Sequence, residues 1–287
     1  MLAIFKRETK SYFTGMVGYA ACAVLLAFLG LYFTNVNLMY ASPDFANVLY
    51  NTTIILLFLL PALSMRSFAE ERRSKTDQLL LTSPVTLPAI VLGKFLAQLA
   101  VFCLPLLAAA VMPLILTRFG SVQVLSAYAA LLGFVLLAGA CLSIGTLISA
   151  LTDNQIVAYL ATLAVLLVCY LMNGITTMFT TGSLLAFVVF CAALLIAAIL
   201  VGVICKSMTL GAGVFCVGAV FLFVLFNLRP AWLLTAFDAV LSALALFDPF
   251  VGIVSGMFSL SALVYYLSVI GMSLFLTCQT LERRRWN

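Results

Sequence analysis

Long apolar runs alternate with short polar stretches along the whole chain. Each run holds about 20 residues or more, the length that an α-helix needs to cross a ~30 Å hydrocarbon core. The pattern therefore predicts an all-α, polytopic membrane protein with about eight transmembrane helices. The predicted spans are 16–36, 46–65, 88–117, 124–150, 155–178, 183–205, 208–227 and 260–281.

Two of the apolar stretches depart from a simple span. The run 88–117 is long and contains Pro105 and Pro113, which predicts a kinked or tilted helix. Residues 231–258 are apolar but contain Asp238 and Asp248, and an acid at the bilayer centre costs roughly 2.5–3.5 kcal/mol. We therefore expect 231–258 to be an amphipathic segment on the extracytoplasmic face, with its aromatic rings in the interface, rather than a ninth span.

Composition excludes a soluble protein. Hydrophobic residues make up 66% of the 287 positions and charged residues 8%. A soluble domain is about 45–50% apolar and about 25% charged, so this chain could not cover a water-facing surface. The first 15 residues carry Lys6, Arg7 and Lys10 but no small-residue cleavage site behind a short apolar stretch, so we expect the first span to be retained.

The basic residues predict the orientation, because cytoplasmic loops of membrane proteins hold an excess of Lys and Arg. With eight spans, both termini lie on one side, and only Arg118 and Arg229 fall on the other. The basic residues on the first side are Lys6, Arg7, Lys10, Arg66, Arg72, Arg73, Lys75, Lys94, Lys206, Arg283, Arg284 and Arg285. We expect this side to be the cytoplasm, and attraction to anionic lipid accounts for the net charge of +5 without any nucleic acid.

Residues for catalysis or for binding a cofactor or metal are missing from the sequence. Histidine is absent, the eight cysteines fall inside apolar runs, and no phosphate-binding loop is present. None of the nine acids is placed at mid-membrane by the span pattern, which disfavours an ion-coupled carrier. We expect no enzyme activity, no cofactor and no metal. We interpret Thr152 and Gln155 as a capping box between spans four and five, where Asp153 adds negative charge at the helix start.

The stretch "SFAEERRSKTDQLLLTSPVTLP", residues 67–88, departs from the rest of the chain. Seven charged residues fall between positions 66 and 77, and three leucines follow them. On a helix, Arg66, Glu70, Arg73 and Asp77 form one stripe of alternating charge, and Glu71 precedes Lys75 by four residues. Ser83-Pro84 then breaks the helix. The pattern predicts a short amphipathic cytoplasmic helix that docks a cytosolic partner, whereas a loop that only sets topology would need positive charge alone.

This stretch resembles the first cytoplasmic loop of ABC-2-type permeases, the membrane subunits of ATP-binding-cassette transporters. The residues that match are Glu70, Glu71, Thr76, Leu79, Leu80, Ser83, Pro84, Gly93 and Lys94, while Lys75 replaces the usual glycine. The segment "LISALTDNQIVAYLAT" and the C-terminal Leu281, Glu282, Arg285 and Trp286 are similar to the gliding-motility (GldF-like) branch. The resemblance covers residues 1–178 and about 245–287, and the family usually has six spans, so 183–227 is interpreted as an inserted hairpin of two more.

The resemblance implies a single transmembrane domain over 1–287, with an interfacial elbow helix at 1–15 and a coupling segment at 66–88. It implies a permease, expected to be an exporter, in a complex with a cytosolic ABC ATPase and a second permease subunit in the cell membrane. The residues expected to couple to the ATPase are Glu70, Glu71, Arg73, Thr76, Leu79, Leu80, Ser83 and Pro84. Of these, Glu70 and Glu71 are expected to pair with basic groups on the ATPase. Two alternatives stay open: a membrane anchor or scaffold that transports nothing, and an ion-coupled secondary carrier.

Overall fold

The computed structural model describes residues 1–40, 42–75, 86–118, 123–179, 194, 230–257 and 259–286, and in these residues the regular structure is helical. The helices are α1 Leu2–Thr14, α2 Met16–Tyr32 with a π-helical continuation Phe33–Met39, α3 Phe45–Ser64, α4 Arg66–Arg73, α5 Leu87–Ala109, α6 Met112–Leu116, α7 Val124–Leu151, α8 Gln155–Phe179, α9 Pro230–Leu244, α10 Asp248–Val254 and α11 Leu260–Trp286. The predicted spans 183–205 and 208–227 lie outside the described residues, apart from residue 194, so the inserted hairpin stays a prediction.

Six segments of the described chain are long and apolar enough to cross a membrane. They are Met16–Met39, Phe45–Arg73, Leu87–Leu116, Val124–Leu151, Gln155–Met172 and Leu260–Arg283. Each begins within a few residues of a span predicted from the sequence, because the run of apolar residues sets both its position and its length. The described structure therefore confirms a multi-pass, all-helical membrane protein.

The chain divides into two compact units, Met1–Val168 with Phe247–Asn287, and Cys169–Leu246. Helix α7 is the centre of the first unit, where α3, α5 and α11 pack against it. Two thirds of its apolar window, 67%, is buried inside the protein, against 17% for α2. In the second unit the structure describes the end of α8 and all of α9.

The third span is broken where its prolines predict a break. Helix α5 runs through Pro105 to Ala109, and α6 starts at Met112 with Pro113 as its second residue. A proline inside a helix cannot donate its backbone hydrogen bond and clashes with the preceding turn. The span predicted as kinked or tilted is thus interrupted just before Pro113, whereas Pro105 lies within a continuous helix.

The segment predicted as one amphipathic helix at 231–258 consists of two helices, α9 and α10. Pro230 is the first residue of α9 and Pro249 the second residue of α10. Helix α10 packs into the first unit, with Phe250 fully buried and its ring 5.8 Å from that of Phe134. The expectation that the Phe250 ring lies in the interface is therefore wrong, since the apolar core takes it in. No candidate span begins in 230–257, as predicted.

The capping box expected at Thr152 and Gln155 is not formed. Thr152 is the C-cap of α7, and its hydroxyl donates to the Ile148 carbonyl. Asn154 takes the capping role instead, since its Oδ1 accepts the Ile156 N–H at 3.0 Å. Asparagine is a strong N-cap, and Asn154 directly precedes Gln155, the first residue of α8, whereas Thr152 belongs to the end of α7.

Candidate functional site

The second span does not end in a loop but turns at one residue into the charged helix. Helix α3 ends at Ser64, α4 begins at Arg66, and Met65 lies between them with its N–H bonded to the Pro61 carbonyl. Each helix end leaves up to four backbone groups without partners in its own helix. At a buried joint of this kind, other parts of the protein must supply those partners.

Ser149 of α7 supplies the cap for the start of α4. Its Oγ accepts the N–H groups of Phe68 and Ala69, each at 3.1 Å, and donates to the Met65 carbonyl at 3.1 Å. Met65, the N-cap position of α4, makes no side-chain capping bond. The Ser149 hydroxyl, from a different span, therefore caps the start of α4 in place of an N-cap side chain.

Two more side chains bind the carbonyl groups at the joint. The Tyr12 hydroxyl of α1 donates to the Leu63 carbonyl at 2.8 Å, and the Lys94 Nζ of α5 donates to the Ser67 carbonyl at 2.7 Å. Burial raises the pKa of Tyr12, which keeps the hydroxyl protonated as a donor. Side chains from α1, α5 and α7 thus converge on a few residues of backbone.

Lys94 is also the centre of a buried ion cluster. Its side chain is 2% exposed, and its Nζ lies 2.9 Å from Glu71 Oε1 and 3.3 Å from Glu8 Oε1. Arg7 bridges the same two carboxylates at 2.7 Å from Glu8 and 3.0 Å from Glu71. The Phe68 ring, whose centroid is 5.0 Å from Nζ, adds a cation–π contact. The two acids come from α1 and α4, so the cluster joins these two helices to the third span.

Two glycines allow the helices to approach closely enough for these bonds. A Cβ on Gly93, next to Lys94, would lie 3.1 Å from Ile4 Cγ2 of α1. A Cβ on Gly145, one turn before Ser149, would overlap the Ser64 side chain at the end of α3. The Gly-Lys pair of the sequence pattern therefore has two physical roles: the glycine makes room for α1, and the lysine binds it.

Helix α4 has two further ion pairs. Arg66 and Glu70 form the predicted i,i+4 pair, through two hydrogen bonds of 2.7 and 3.0 Å. Arg72, whose side chain is 4% exposed, lies 3.3 Å from Asp153 in the turn between α7 and α8. The latter pair fastens α4 to the turn between α7 and α8, a role for Asp153 that differs from the expected one at a helix start.

The charged helix is shorter than the predicted stripe. It ends at Arg73, and Lys75 takes a left-handed conformation with φ 56°. Its N–H bonds to the Arg72 carbonyl, and the Ser74 hydroxyl donates to the Glu70 and Glu71 carbonyls. Lys75 stands where the family pattern has glycine, and this φ is the conformation that glycine adopts most readily. The predicted i,i+4 pair of Glu71 with Lys75 is wrong, since Lys75 lies beyond the helix and Glu71 points to Arg7 and Lys94.

Of the residues predicted to couple to an ATPase, the structure describes Glu70, Glu71 and Arg73 on α4. Thr76, Leu79, Leu80, Ser83 and Pro84 lie outside the described residues. Arg73 is exposed, Glu70 is half-exposed beside Arg66, and Glu71 is largely turned inward.

Several residues of this joint were missed from the sequence. Asp153 was assigned to a helix start instead, and no part in the joint was assigned to Arg7, Glu8, Tyr12, Lys94 and Ser149. Lys94 did carry a signal, because a lone cation within an apolar run needs a buried acid. Ser149 carried none, since a serine in a span usually bonds to its own helix.

An open cleft lies at the other end of α3. It has a volume of about 360 Å³ and is lined by Asp44, Asn47, Tyr50, Gln123, Ser126, Val251, Val254, Ser255 and Gly256. Asp44, the N-cap residue of α3, makes no side-chain capping bond. The two ends of α3 therefore differ: one is a packed joint and the other a polar opening.

Comparison with known families decides what kind of membrane protein this is. Residues 31–186, more than half of the chain, match the family model described as ABC-2 family transporter protein. The chain belongs to the ABC-2 family of transporter proteins. It is a membrane permease of an ABC transporter, and the joint lies inside the matched region except for α1. No curated protein and no solved structure matched the chain.

Removing the Ser149 hydroxyl from the permease should leave two N–H groups of α4 and one carbonyl without their partner. We expect Ser149→Ala to destabilise the protein by about 1–3 kcal/mol, seen as a lower thermal midpoint in lipid nanodiscs. Ser143→Ala is the matched control, because the Ser143 hydroxyl on the same helix bonds only to the Ala140 carbonyl. Equal midpoints for the two variants would contradict the capping role.

Removing the Lys94 charge should leave Glu8 and Glu71 without one of the two cations that bind both carboxylates. Breaking one partner of a buried ion pair costs about 3–5 kcal/mol, so Lys94→Met should lower the thermal midpoint strongly. Lys6→Met removes an exposed cation from α1 and should change stability by no more than about 0.5 kcal/mol. A Lys94→Met variant as stable as Lys6→Met would show that the cluster does not hold α1 and α4 to the third span.

Proposed function

We propose that this permease is the transmembrane subunit of an exporter in the cell membrane, driven by a separate cytosolic ABC ATPase and paired with a second permease subunit. ATP hydrolysis takes place on the partner, and the 66–88 segment couples it to the membrane helices. The two permease subunits rock against each other as the ATPase subunits change their separation. Family membership supports this proposal, since an ABC-2 permease implies an ATPase partner.

The observation that carries the proposal is the fastening of α4. A loop that only connected two spans would need no bonds to helices other than its own. Helix α4 instead makes ion pairs and hydrogen bonds to α1, α5 and α7, and to the turn after α7. A force applied to α4 would reach the third and fourth spans through short, buried contacts, in addition to the second span that continues into it.

We also propose that the chain belongs to the GldF-like branch of the family. The segment 147–162 that is similar to this branch contains both Ser149 and Asp153. These are two of the residues that bind α4 from outside its own span. The likeness therefore coincides with a structural function and not only with a general apolar pattern.

The proposed orientation places both termini and α4 in the cytoplasm, the elbow helix 1–15 in the inner interface, and the 231–258 segment outside. Exposed Lys6 and Lys10 on α1 fit phosphates of lipid headgroups there.

In a background whose native cysteines are replaced by alanine, a membrane-impermeant maleimide should label a cysteine at Ser42 in intact cells. A cysteine at Ser74 should react only after permeabilisation. The two positions bracket α3 and α4, so the experiment needs no knowledge of the undescribed residues. Labelling of Ser74 from outside would overturn the orientation.

The coupling itself is tested by reconstituting the permease with its copurifying ATPase in lipid nanodiscs. A nitroxide on a cysteine at Ser74 should report a distance between permease copies that changes when ATP and vanadate are added. The readout requires no known substrate, because it follows the membrane subunits themselves. A bound ATPase with no change in distance would favour a scaffold, and substrate movement driven by an ion gradient without the ATPase would favour a secondary carrier.

A further inference from the structure

We propose that the surface which α4 presents to the ATPase is electropositive, and that the partner receives it with an acidic surface. This inference rests on the proposed coupling function and assigns the polarity of its contact. From the sequence alone, Glu70 and Glu71 were expected to meet basic groups on the partner. The structure leads to the opposite polarity.

The carboxylates around α4 are engaged within the chain. Glu71 lies between Arg7 and Lys94, and Glu8 pairs with the same two cations. Glu70 binds the Arg66 guanidinium with both of its oxygens. An ATPase that used Glu71 would first have to break a buried ion cluster, which costs several kcal/mol.

Asp153 completes the set of engaged acids. It is 73% exposed, yet it lies 3.3 Å from Arg72, whose own side chain is buried. Taking Asp153 away would leave a buried guanidinium without this carboxylate. Asp153 thus serves to hold α4 against the turn between α7 and α8.

The cations at the tip of α4 are not engaged in the same way. Arg73 and Lys75 are exposed, and none of the described acids lies within 4.0 Å of either side chain. The left-handed Lys75 and the two hydrogen bonds of the Ser74 hydroxyl fix the backbone between them. The tip therefore presents two adjacent positive charges from an ordered helix end. Asp77 follows in the sequence, and the net charge of Arg73, Lys75 and Asp77 together is still positive.

An acidic protein surface fits this tip better than a lipid headgroup. The tip is continuous in sequence with Leu79, Leu80, Ser83 and Pro84, which are expected to couple to the ATPase. Phosphates of the membrane are already matched by the exposed lysines of α1. Arg73 and Lys75 are then the cations that select the partner, because complementary charge governs association and rejects wrong partners more than it adds affinity.

The test measures ATPase binding to the permease in nanodiscs of neutral lipid at low and high salt. Arg73→Glu and Lys75→Glu should each weaken binding by about tenfold at low salt, and the effect should shrink as salt screens the charges. The matched control is Arg283→Glu, the same reversal at an exposed helical arginine of α11, which should leave binding unchanged. Glu70→Lys should not weaken ATPase binding, since the Glu70 carboxylate binds the Arg66 guanidinium within the chain.

The outcomes separate this inference from the function on which it rests. Failure of the wild-type permease to bind the ATPase would contradict the proposed function itself. Normal ATPase binding by Arg73→Glu and Lys75→Glu, with loss in Glu70→Lys, would overturn the polarity and leave the function standing. If the two reversals affect binding only in nanodiscs that contain anionic lipid, the tip contacts headgroups and the acidic partner surface is refuted. Restored binding of Arg73→Glu by a Lys or Arg in place of an acid on the ATPase would support the inference directly.

Discussion

The backbone at the α3–α4 joint has polar groups that its own helices cannot satisfy, and the packing around it depends on meeting that need. An unsatisfied buried N–H or carbonyl costs about 1–3 kcal/mol, so a joint with several of them would not persist without partners. Tyr12, Lys94 and Ser149 supply them from three separate helices. The elbow helix, the third span and the fourth span are thereby drawn to the same few residues.

The buried charge of Lys94 makes this convergence specific. An ammonium group taken out of water must find acids nearby, and among the acids that the structure describes, Glu8 and Glu71 lie within 4.0 Å of it. Each acid lies on a different helix, so the lysine determines where α1 and α4 lie against the third span. Gly93 removes the side chain that would otherwise keep α1 away. Charge and close packing at two successive residues thus act together.

These contacts support the mechanical role proposed for the charged helix. Helix α4 is short and polar, and a helix of eight residues has little stability of its own. Its bonds to other helices stabilise it and also connect it to them, so a displacement of α4 is shared with its neighbours. The positive charges of Arg73 and Lys75 at its exposed tip are the ones proposed to contact a partner.

Parts of the candidate site could be predicted and parts could not. The i,i+4 pair of Arg66 with Glu70 followed from helix geometry, and it is present. The end of the helix did not follow, because a lysine in the left-handed region is uncommon and has no sequence signature. The partner of Glu71 was predicted wrongly, since Lys75 is near in sequence whereas Lys94 and Arg7 are near in space. The capping role of Ser149 could not be predicted for the same reason, because the backbone groups that it binds are near in space and distant in sequence.

The sequence by itself determined the class of protein, the location of six described spans and the break near Pro113. These properties depend on the composition of consecutive residues and on local backbone sterics, which act within one segment. Only the tertiary structure decided which side chains meet at the joint, which acids stay engaged and that Phe250 enters the core. The hydrogen bonds and ion pairs at the joint link residues as many as 86 positions apart, as in Lys94 with Glu8. They arise when separate helices pack together and buried polar groups take the partners that come within reach.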